Sequence, residues 1–367
     1  MNAARNGQVL KLYPNVIPVK GYNRSLLVDL QRAKSHLVPN DLVDYLEQDI
    51  SVVEEYEKFI IENELGLLID EEIGACLTAL PTNYYPASNI NNAILELDEN
   101  SSWSIPSVLS QLDELGVQFL EIRFLDFYSV LKNLRILQVY SNETTIESIQ
   151  LLVPFHKDLK AFLDSSLDEH FFRLSTILVY NTSEGFELDV NFYRVVFTRQ
   201  EAVSREHCGN ISKDYFRLNT QSYVRSQNYN SCLAHKISVD RNGLIGNCPS
   251  MRETFGHVDD KTFAEVLQEN VLQKKWKLTK DKISICSVCE FRTICTDCRA
   301  FTVDNTENGK PSKCGYNPFI SLWKGDENYL SEEDCGILIE NDRIYIPKER
   351  INEINTKIWG ANHTCSH

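Results

Sequence analysis

Cysteine is concentrated in the C-terminal third of this chain, and that concentration constrains the fold more than any other feature. Eight of the 11 cysteines lie between positions 208 and 314. They are Cys208, Cys232, Cys248, Cys286, Cys289, Cys295, Cys298 and Cys314. Two Cys-x2-Cys pairs begin at Cys286 and Cys295. Because a tight turn can direct both thiolates of such a pair at one centre, the pattern predicts loops folded around a metal.

The spacing predicts a metal but leaves its identity open. Structural zinc takes four ligands, so two four-thiolate zinc sites would use eight cysteines. Two cubane iron–sulfur clusters would use the same number. The third alternative is a set of reduced thiols without a bound metal. In the cytosol thiols stay reduced, and clustered cysteines there bind metals more often than they form disulfides.

The composition is that of a folded, acidic protein. The chain has 367 residues, 43% apolar and 24% charged, with a formal net charge of -15. A duplex-DNA binder needs a basic face, so we expect no nucleic-acid partner. An acidic surface suits a basic partner segment such as a peptide leader. No run approaches the roughly 18–20 apolar residues of a membrane helix, and the N-terminus shows no secretory signal. We therefore expect a cytoplasmic protein with no membrane partner.

The first 71 residues alternate between strand and helix patterns. Short alternating runs predict strands at 8–13, 16–20 and 25–31. The runs NDLVDYLEQ and SVVEEYEKFIIENEL place apolar residues at helical spacing, and LLID predicts a closing strand. Three strands followed by two or more helices form a winged-helix-like order. Proline and asparagine then interrupt regular structure over 72–88, which predicts a linker.

Residues 88–204 predict a mostly parallel α/β domain. Strand patterns occur in AILELD, VQFLEIRFL, LRILQVYS, FRLSTILVYN and NFYRVVFTR. Helical patterns occur in PSVLSQLDEL, in the short run YSVLKNL and before FRLSTILVYN. Strands that alternate with helices are typical of βαβ units. After about residue 204 the elements shorten, and Asp240 to Gly243 predicts a hairpin turn because Asn-Gly favours positive φ.

The run CSVCEFRTICTDCRAF, with CLAHKISVDRNGLIGNCPSMRETFGHV before it, resembles the SPASM domain of peptide-modifying radical SAM maturases. The resemblance implies two auxiliary [4Fe-4S] clusters rather than zinc. It assigns one cluster to Cys286, Cys289, Cys295 and Cys314. It assigns the other to Cys232, Cys248 and Cys298. The family has three residues between the third and fourth cysteines of the run, and this chain has two, which places the crossover ligand Cys298 in question.

The eighth cysteine leaves three alternatives for the second cluster. Cys208 is its fourth ligand, or Cys208 is a plain buried thiol, or the fourth position is open to a peptide substrate. The nearby Cys335 is expected to be a core thiol. The tail places His363, Cys365 and His367 on alternate residues, which is a weak metal pattern at a frayed end.

The catalytic motif of radical SAM enzymes is missing. These enzymes hold their catalytic cluster through Cys-x3-Cys-x2-Cys after the first barrel strand, but here AILELD is followed by ENSSWSIPS. Cys76 stands alone before the barrel and cannot supply three ligands. The resemblance therefore implies a degenerate (β/α) barrel, and we expect no homolytic cleavage of S-adenosylmethionine.

The chain as a whole resembles the SPASM-domain peptide maturase of grasp-with-spasm systems. The resemblance covers LYPNVIPVKGYNRSLLVDLQ, NAILELD, QLDELGVQFLEIRF and the cysteine run. It implies two partners, a precursor peptide leader and an ATP-grasp ligase. Residues 8–70 also resemble a winged-helix element that binds a leader by strand addition. We expect 25–31 and the helix at 52–63 to border that groove; the alternative is a small domain that only packs on the barrel.

Together these features predict an α/β protein of four segments. They are a winged-helix-like peptide-recognition domain at 1–71, a degenerate barrel at 88–204, a SPASM domain at 205–330 and a C-terminal segment at 331–367. The function predicted is a maturation factor for a ribosomally synthesised peptide. One alternative is a SPASM-type redox or radical SAM enzyme that modifies the peptide directly. The other is a structural zinc-binding interaction protein.

Overall fold

The computed structural model describes residues 8–48, 53–167, 171–190, 192–202, 207–340 and 343–360. The strands are β1 Gln8–Leu12, β2 Val16–Lys20, β3 Ser25–Asp29, β4 Lys34–Val38, β5 Gly66–Asp70, β6 Asn92–Leu97, β7 Phe119–Phe124, β8 Ser148–Pro154, β9 Leu174–Tyr180, β10 Phe186–Val190, β11 Tyr193–Phe197, β12 Lys236–Val239, β13 Ile245–Gly246, β14 Tyr316–Asn317, β15 Leu322–Trp323, β16 Leu338–Glu340 and β17 Arg343–Tyr345. The helices are α1 Asn40–Gln48, α2 Glu54–Glu62, α3 Glu71–Gly74, α4 Ile105–Glu114, α5 Phe127–Ser141, α6 Leu159–Ser166, α7 Thr220–Asn228, α8 Phe263–Gln268, α9 Val271–Trp276 and α10 Lys348–Trp359.

The chain forms two compact units that interleave in sequence. The first unit comprises Met1–Tyr84, Ile211–Cys232 and Leu278–His367, and the second comprises Tyr85–Asn210 and Leu233–Lys277. The segment 205–330, predicted as one domain, therefore contributes to both units. No helix in the described ranges is long and apolar enough to cross a membrane.

The second unit is built on an eight-stranded sheet in the order β10-β11-β9-β8-β7-β6-β12-β13. Its six inner strands are mutually parallel, and β10 and β13 pair antiparallel at the two ends. This confirms the predicted mostly parallel α/β fold. Because β6, β7, β8 and β9 are neighbours in sequence order, right-handed crossovers place α4, α5 and α6 on one face of the sheet. Of the described helices that connect these four strands, none lies on the opposite face.

Two details of the second unit differ from the sequence expectation. LRILQVYS was expected to form a strand, but it is the C-terminal half of α5. Leu134, Leu137 and Ser141 are buried at helical spacing, and the local alternation of apolar residues fits either structure over so short a run. Strands β8 and β10 were not expected. The predicted hairpin is confirmed, since Gly243 has φ +80 and β12 pairs antiparallel with β13.

The first unit contains a three-stranded sheet in the order β2-β3-β4 and a separate β1-β5 ladder. Strand β3 is buried along its whole length because both faces are covered. Leu27 packs with Val16, Leu42 and Ile60 on one side. On the other side, apolar side chains of the N-terminal sheet, of α7 and of the cysteine-rich loops form one cluster: Val19, Leu26, Val28, Leu30, Tyr223, Phe291, Ile294 and Tyr316.

The position of β3 corrects the expected peptide groove. Strand β3 pairs with β2 on one side and β4 on the other, so residues 25–29 have no edge to which a peptide strand could be added. Among the described strands, β1 pairs only with β5. A cavity of about 270 Å³ lies beside β1 instead. It is lined by Val9, Leu10, Lys11, Tyr45, Leu46, Glu47, Glu71 and Ala75.

Candidate metal centre

Four of the predicted ligands lie in the first unit within electrostatic range of one another, each on a short turn. Cys286 begins a 3-10 turn, and the backbone N–H of Cys289 donates to the Cys286 carbonyl at 3.0 Å. The N–H of Cys295 donates to the Phe291 carbonyl at 2.9 Å. Cys314 bridges to Ile211 in a parallel pairing. We call Cys286, Cys289, Cys295 and Cys314 the four-cysteine group.

The thiols of the four-cysteine group interact electrostatically with one another. Burial raises the pKa of Cys286 to about 12 and that of Cys295 to about 11; Lys280 opposes both shifts, and Asp297 and the neighbouring sulfurs add to them. Burial raises the pKa of Cys289 well above its usual value, and the negative charges of Glu290 and of the other three sulfurs add to this effect. As thiolates without a metal, these side chains would be costly to bury. A coordinated metal removes that cost because it holds the sulfur deprotonated and supplies positive charge.

Aromatic and aliphatic packing fixes the loops that carry the four-cysteine group. Phe291 and Ile294, between the second and third cysteines, are buried in the cluster shared with the N-terminal sheet. Tyr316, two residues after Cys314, lies in the same cluster. The ring centroids of Phe291 and Tyr316 are 4.9 Å apart in an edge-to-face arrangement. The N-terminal sheet therefore supports the cysteine loops within one unit.

A buried carboxyl group borders the four-cysteine group. Glu290 is fully buried and accepts a hydrogen bond from the Tyr316 hydroxyl. Burial raises the pKa of Glu290 to about 7, against the opposing influence of Tyr316 and of Arg24. Burial therefore disfavours the charged form of this carboxyl group.

Three charged residues that the sequence analysis did not single out lie beside the group. The Lys280 ammonium donates to the Cys295 sulfur at 3.5 Å. Asp297 lies 3.4 Å from Lys280 and 2.8 Å from Arg299. In the sequence, Lys280 stands in KLTKDKIS, which resembles a solvated lysine run, so no local signal marks it. Asp297 and Arg299 lie on either side of Cys298 in the sequence. Their charges next to a cysteine are the only sequence feature that indicates a role at the metal centre.

Two ligands predicted for the second cluster lie in the first unit. The Cys232 N–H donates to the Asn230 side chain at 3.0 Å, and the Cys298 N–H donates to Asp297 at 2.8 Å. Asn230 in turn donates to Asp297. These hydrogen bonds tie the segment that carries Cys232 to the segment that carries Cys298.

The other two cysteines, Cys208 and Cys248, lie in the second unit near Arg123. Burial lowers the pKa of the Arg123 guanidinium, but Glu121 and the two sulfurs outweigh that influence and raise it. Both cysteines therefore lie in electrostatic range of the same cation. Since Cys232, Cys248 and Cys298 are divided between the two units, the second cluster stays a prediction.

Arg123 belongs to a polar group on the sheet face that lacks crossover helices. Arg123 on β7 lies in register with Glu96 on the neighbouring strand β6. The Nε of Arg123 lies 2.5 Å from Oε1 of Glu121. Burial raises the pKa of Glu96, while Arg123 opposes that shift. A cavity of about 220 Å³ lies at this face. It is lined by Glu121, Arg123, Gln150, Leu152, Leu178, Tyr180, Thr198, Gln200, Glu201, Ala202, His207 and Cys208.

The remaining candidates are Cys335, Cys76 and the C-terminal tail. Cys335 is fully buried and accepts from the Asn317 amide at 3.5 Å, which confirms the expected core thiol. Cys76 is exposed. The tail with His363, Cys365 and His367 lies outside the described residues.

The donor set of the four-cysteine group fits a thiolate-bound metal, with a buried cation beside it to offset negative charge. Across the described residues, no three His, Cys, Asp or Glu side chains stand in an arrangement that directly encloses a metal ion. The fit therefore rests on the identity of the sulfurs and on the electrostatic interactions among them. None of the ten described cysteines is in a disulfide.

No protein-family description and no curated protein matches the chain. Among solved structures, it is similar to Streptococcus suis SuiB bound to S-adenosylmethionine, with 10% identity, a TM-score of 0.36 and coverage of 82% of this chain and 98% of that one. SuiB bound to its precursor peptide SuiA gives 10% identity, a TM-score of 0.34 and coverage of 82% and 98%. At such low scores the similarity does not establish a shared fold or activity.

Proposed function

We propose that this chain is a maturation factor for a ribosomally synthesised, post-translationally modified peptide. It binds the leader of the precursor, holds iron–sulfur clusters through its cysteines and acts with an ATP-grasp ligase in the cytoplasm. The observation that carries the proposal is the four-cysteine group, which lies on loops packed against the N-terminal sheet and in which burial raises the pKa of Cys286, Cys289 and Cys295. The partner assignments come from the resemblance of the sequence to grasp-with-spasm maturases.

The four-cysteine group would hold one [4Fe-4S] cluster. When bound, such a cluster supplies one-electron redox chemistry at a potential set by its surroundings. Cys232, Cys248 and Cys298, with Cys208 as the fourth ligand, would hold a second. The proximity of Cys208 and Cys248 to Arg123 supports placing Cys208 with Cys248.

The N-terminal domain, winged-helix-like in its sequence pattern, would bind the leader beside β1. Strand β1 has one partner among the described strands, and a cavity of about 270 Å³ lies against it. Added strands gain backbone hydrogen bonds at such an edge, and pockets beside it select alternate side chains. The proposed leader-binding groove therefore lies beside β1 and α1 and not beside residues 25–31, where the sequence predicted it.

The first experiment measures iron, acid-labile sulfide and zinc in anaerobically purified protein. About eight irons with equal sulfide support two clusters, and about four support one. A Cys295→Ser variant then loses about four irons, whereas the matched control Cys76→Ser, which changes an exposed cysteine, loses none. Zinc without sulfide would replace this proposal with the structural zinc-binding alternative.

The second experiment tests the accessory role. The ATP-grasp ligase is incubated with its precursor peptide and ATP, with and without this chain, and product is followed by mass. The proposal requires that the chain increase the rate of modification. A mass change made by this chain with S-adenosylmethionine and reductant, in the absence of ligase, would favour the peptide-modifying enzyme instead.

A further inference from the structure

A buried ammonium group lies against one sulfur of the four-cysteine group. Lys280 is 7% exposed. Its Nζ lies 3.5 Å from the Cys295 sulfur and 3.3 Å from the Thr296 carbonyl oxygen, and it donates to both. A fully or nearly buried lysine is rare unless its charge is balanced nearby. The positive charge of Lys280 must therefore be balanced by negative charge in the groups around it.

Asp297 balances only part of the positive charge. This carboxylate is 3% exposed and lies between two cations, with Lys280 at 3.4 Å and Arg299 at 2.8 Å. Arg299 is 9% exposed, so all three residues are buried. Two cations and one carboxylate leave one positive charge in excess. We call Lys280, Asp297 and Arg299 the buried charge triad.

The other charged groups near the four sulfurs do not cancel this excess. Lys310 acts electrostatically on Cys314, but it forms an ion pair with Glu332. Arg292 pairs with Asp281 at 3.1 Å near the surface. Glu290 borders Cys289, but it accepts a hydrogen bond from the Tyr316 hydroxyl and interacts electrostatically with Arg24. The excess charge of the triad is thus left facing the sulfurs.

A thiolate-held cluster supplies the missing negative charge. A cubane bound by four thiolates is negatively charged, and its negative charge grows by one on reduction. A fixed cation nearby therefore stabilises the reduced form more than the oxidised form, and an N–H donated to a ligand sulfur acts in the same direction.

We propose that Lys280, the member of the buried charge triad that contacts a sulfur, sets the reduction potential of the cluster held by the four-cysteine group. The inference rests on the proposed function, because it requires a redox cluster at these cysteines. Lys280 adjusts the reduction potential of the cluster and is not one of its ligands. The resulting cluster is easier to reduce than it would be beside a neutral side chain.

The test is a redox titration of anaerobically purified protein, followed by electron paramagnetic resonance of the reduced cluster. In Lys280→Met, the ratio of reduced to oxidised cluster at the wild-type midpoint falls about tenfold, which corresponds to about 59 mV for a one-electron couple. Lys280→Arg keeps the charge and restores most of the ratio. The matched control is Lys282→Met, which changes an exposed lysine in the same turn and leaves the ratio unchanged.

A second variant reverses the sign. Asp297→Asn removes the carboxylate, raises the excess positive charge and is expected to increase the reduced fraction, so it tests the inference even where Lys280→Met fails to fold. An unchanged ratio in a fully loaded Lys280→Met protein, or a decrease in Asp297→Asn, overturns the inference alone. Wild-type protein without iron and sulfide overturns the proposed function and this inference together.

Discussion

Arg123 and Glu96 form an ion pair of 3.5 Å between neighbouring parallel strands, on the sheet face without crossover helices. Both side chains are largely buried, and burial raises the pKa of Glu96 against the influence of Arg123. Removing one member of such a pair leaves a buried charge unpaired, whereas removing both leaves neutral groups. Arg123 also contacts Glu121, so the stability of the second unit should depend on the charge balance between Arg123 and these two carboxylates rather than on any one residue alone.

We expect Arg123→Gln to lower the free energy of unfolding by about 3–5 kcal/mol. The double variant Arg123→Gln with Glu96→Gln should recover about 1–3 kcal/mol of that loss. Urea denaturation of the single and double variants measures the coupling. The matched control is Arg194→Gln, in an exposed Arg194–Glu187 pair of the same sheet, which should change stability by about 0.5 kcal/mol or less. Additive losses at Arg123 and Glu96 would contradict the interpretation.

Asp29 provides a pH-dependent prediction. This carboxylate is almost fully buried and accepts hydrogen bonds of 3.0 Å from the Gln31 and Arg32 backbones and from the Arg32 guanidinium. Burial by itself raises its pKa, but the bonds from Arg32 and Gln31 outweigh burial and lower it. The stabilisation is therefore fully present above the unfolded pKa of about 4 and is lost as pH falls through the lower folded pKa.

Asp29→Asn should accordingly cost roughly 1–3 kcal/mol at pH 7. The difference from wild type should shrink as pH falls below about 4. Urea titrations across that range measure it, with the exposed carboxylate variant Asp260→Asn as control. A difference that stays constant with pH would show that charge at Asp29 is not the cause.

Gly243 provides a prediction about the hairpin before Cys248. Its φ is +80, and a Cβ built there would lie 2.4 Å from the His257 ring. Gly325 also has positive φ, +105, but a Cβ there would meet nothing within 4 Å. Gly325→Ala should cost about 1 kcal/mol from backbone strain alone, and Gly243→Ala should cost about 1–2 kcal/mol more. Thermal denaturation compares the stability of Gly243→Ala and Gly325→Ala. Adding His257→Ala should recover part of the stability lost in Gly243→Ala. Equal losses in the two glycine variants would reject the steric explanation.

The groove beside β1 is testable without disturbing the core. Ala75 lines the cavity and is exposed, so Ala75→Phe should fill it while the domain stays folded. We expect affinity for a fluorescein-labelled synthetic leader peptide to fall at least tenfold, as measured by fluorescence anisotropy. Glu72→Phe, on the same short helix but outside the lining, is the matched control. Unchanged binding in Ala75→Phe would place the leader elsewhere, and equal losses in both variants would indicate a general effect of the added aromatic ring.

The local patterns of the N-terminal and middle segments were predicted with fair accuracy. The strands at 8–13, 16–20 and 25–31 and the helix NDLVDYLEQ are confirmed within a few residues. Strand β4 was not expected because its sequence, KSHLV, is mostly polar, as the edge of a sheet allows. LRILQVYS was assigned wrongly because eight residues of mixed apolar spacing cannot distinguish a strand from the end of a long helix.

The sequence by itself determined the cysteine pattern, the alternation of strands and helices and the hairpin turn at Gly243, because each depends on neighbours a few residues apart. Only the tertiary structure decided that β3 is a central strand, that Cys208 and Cys248 share Arg123, and that Lys280 reaches Cys295. These relationships join residues far apart in the chain, and many different folds satisfy the same local spacing. Their specificity comes from burial, which makes an unpaired charge or backbone group costly and so selects one set of long-range partners.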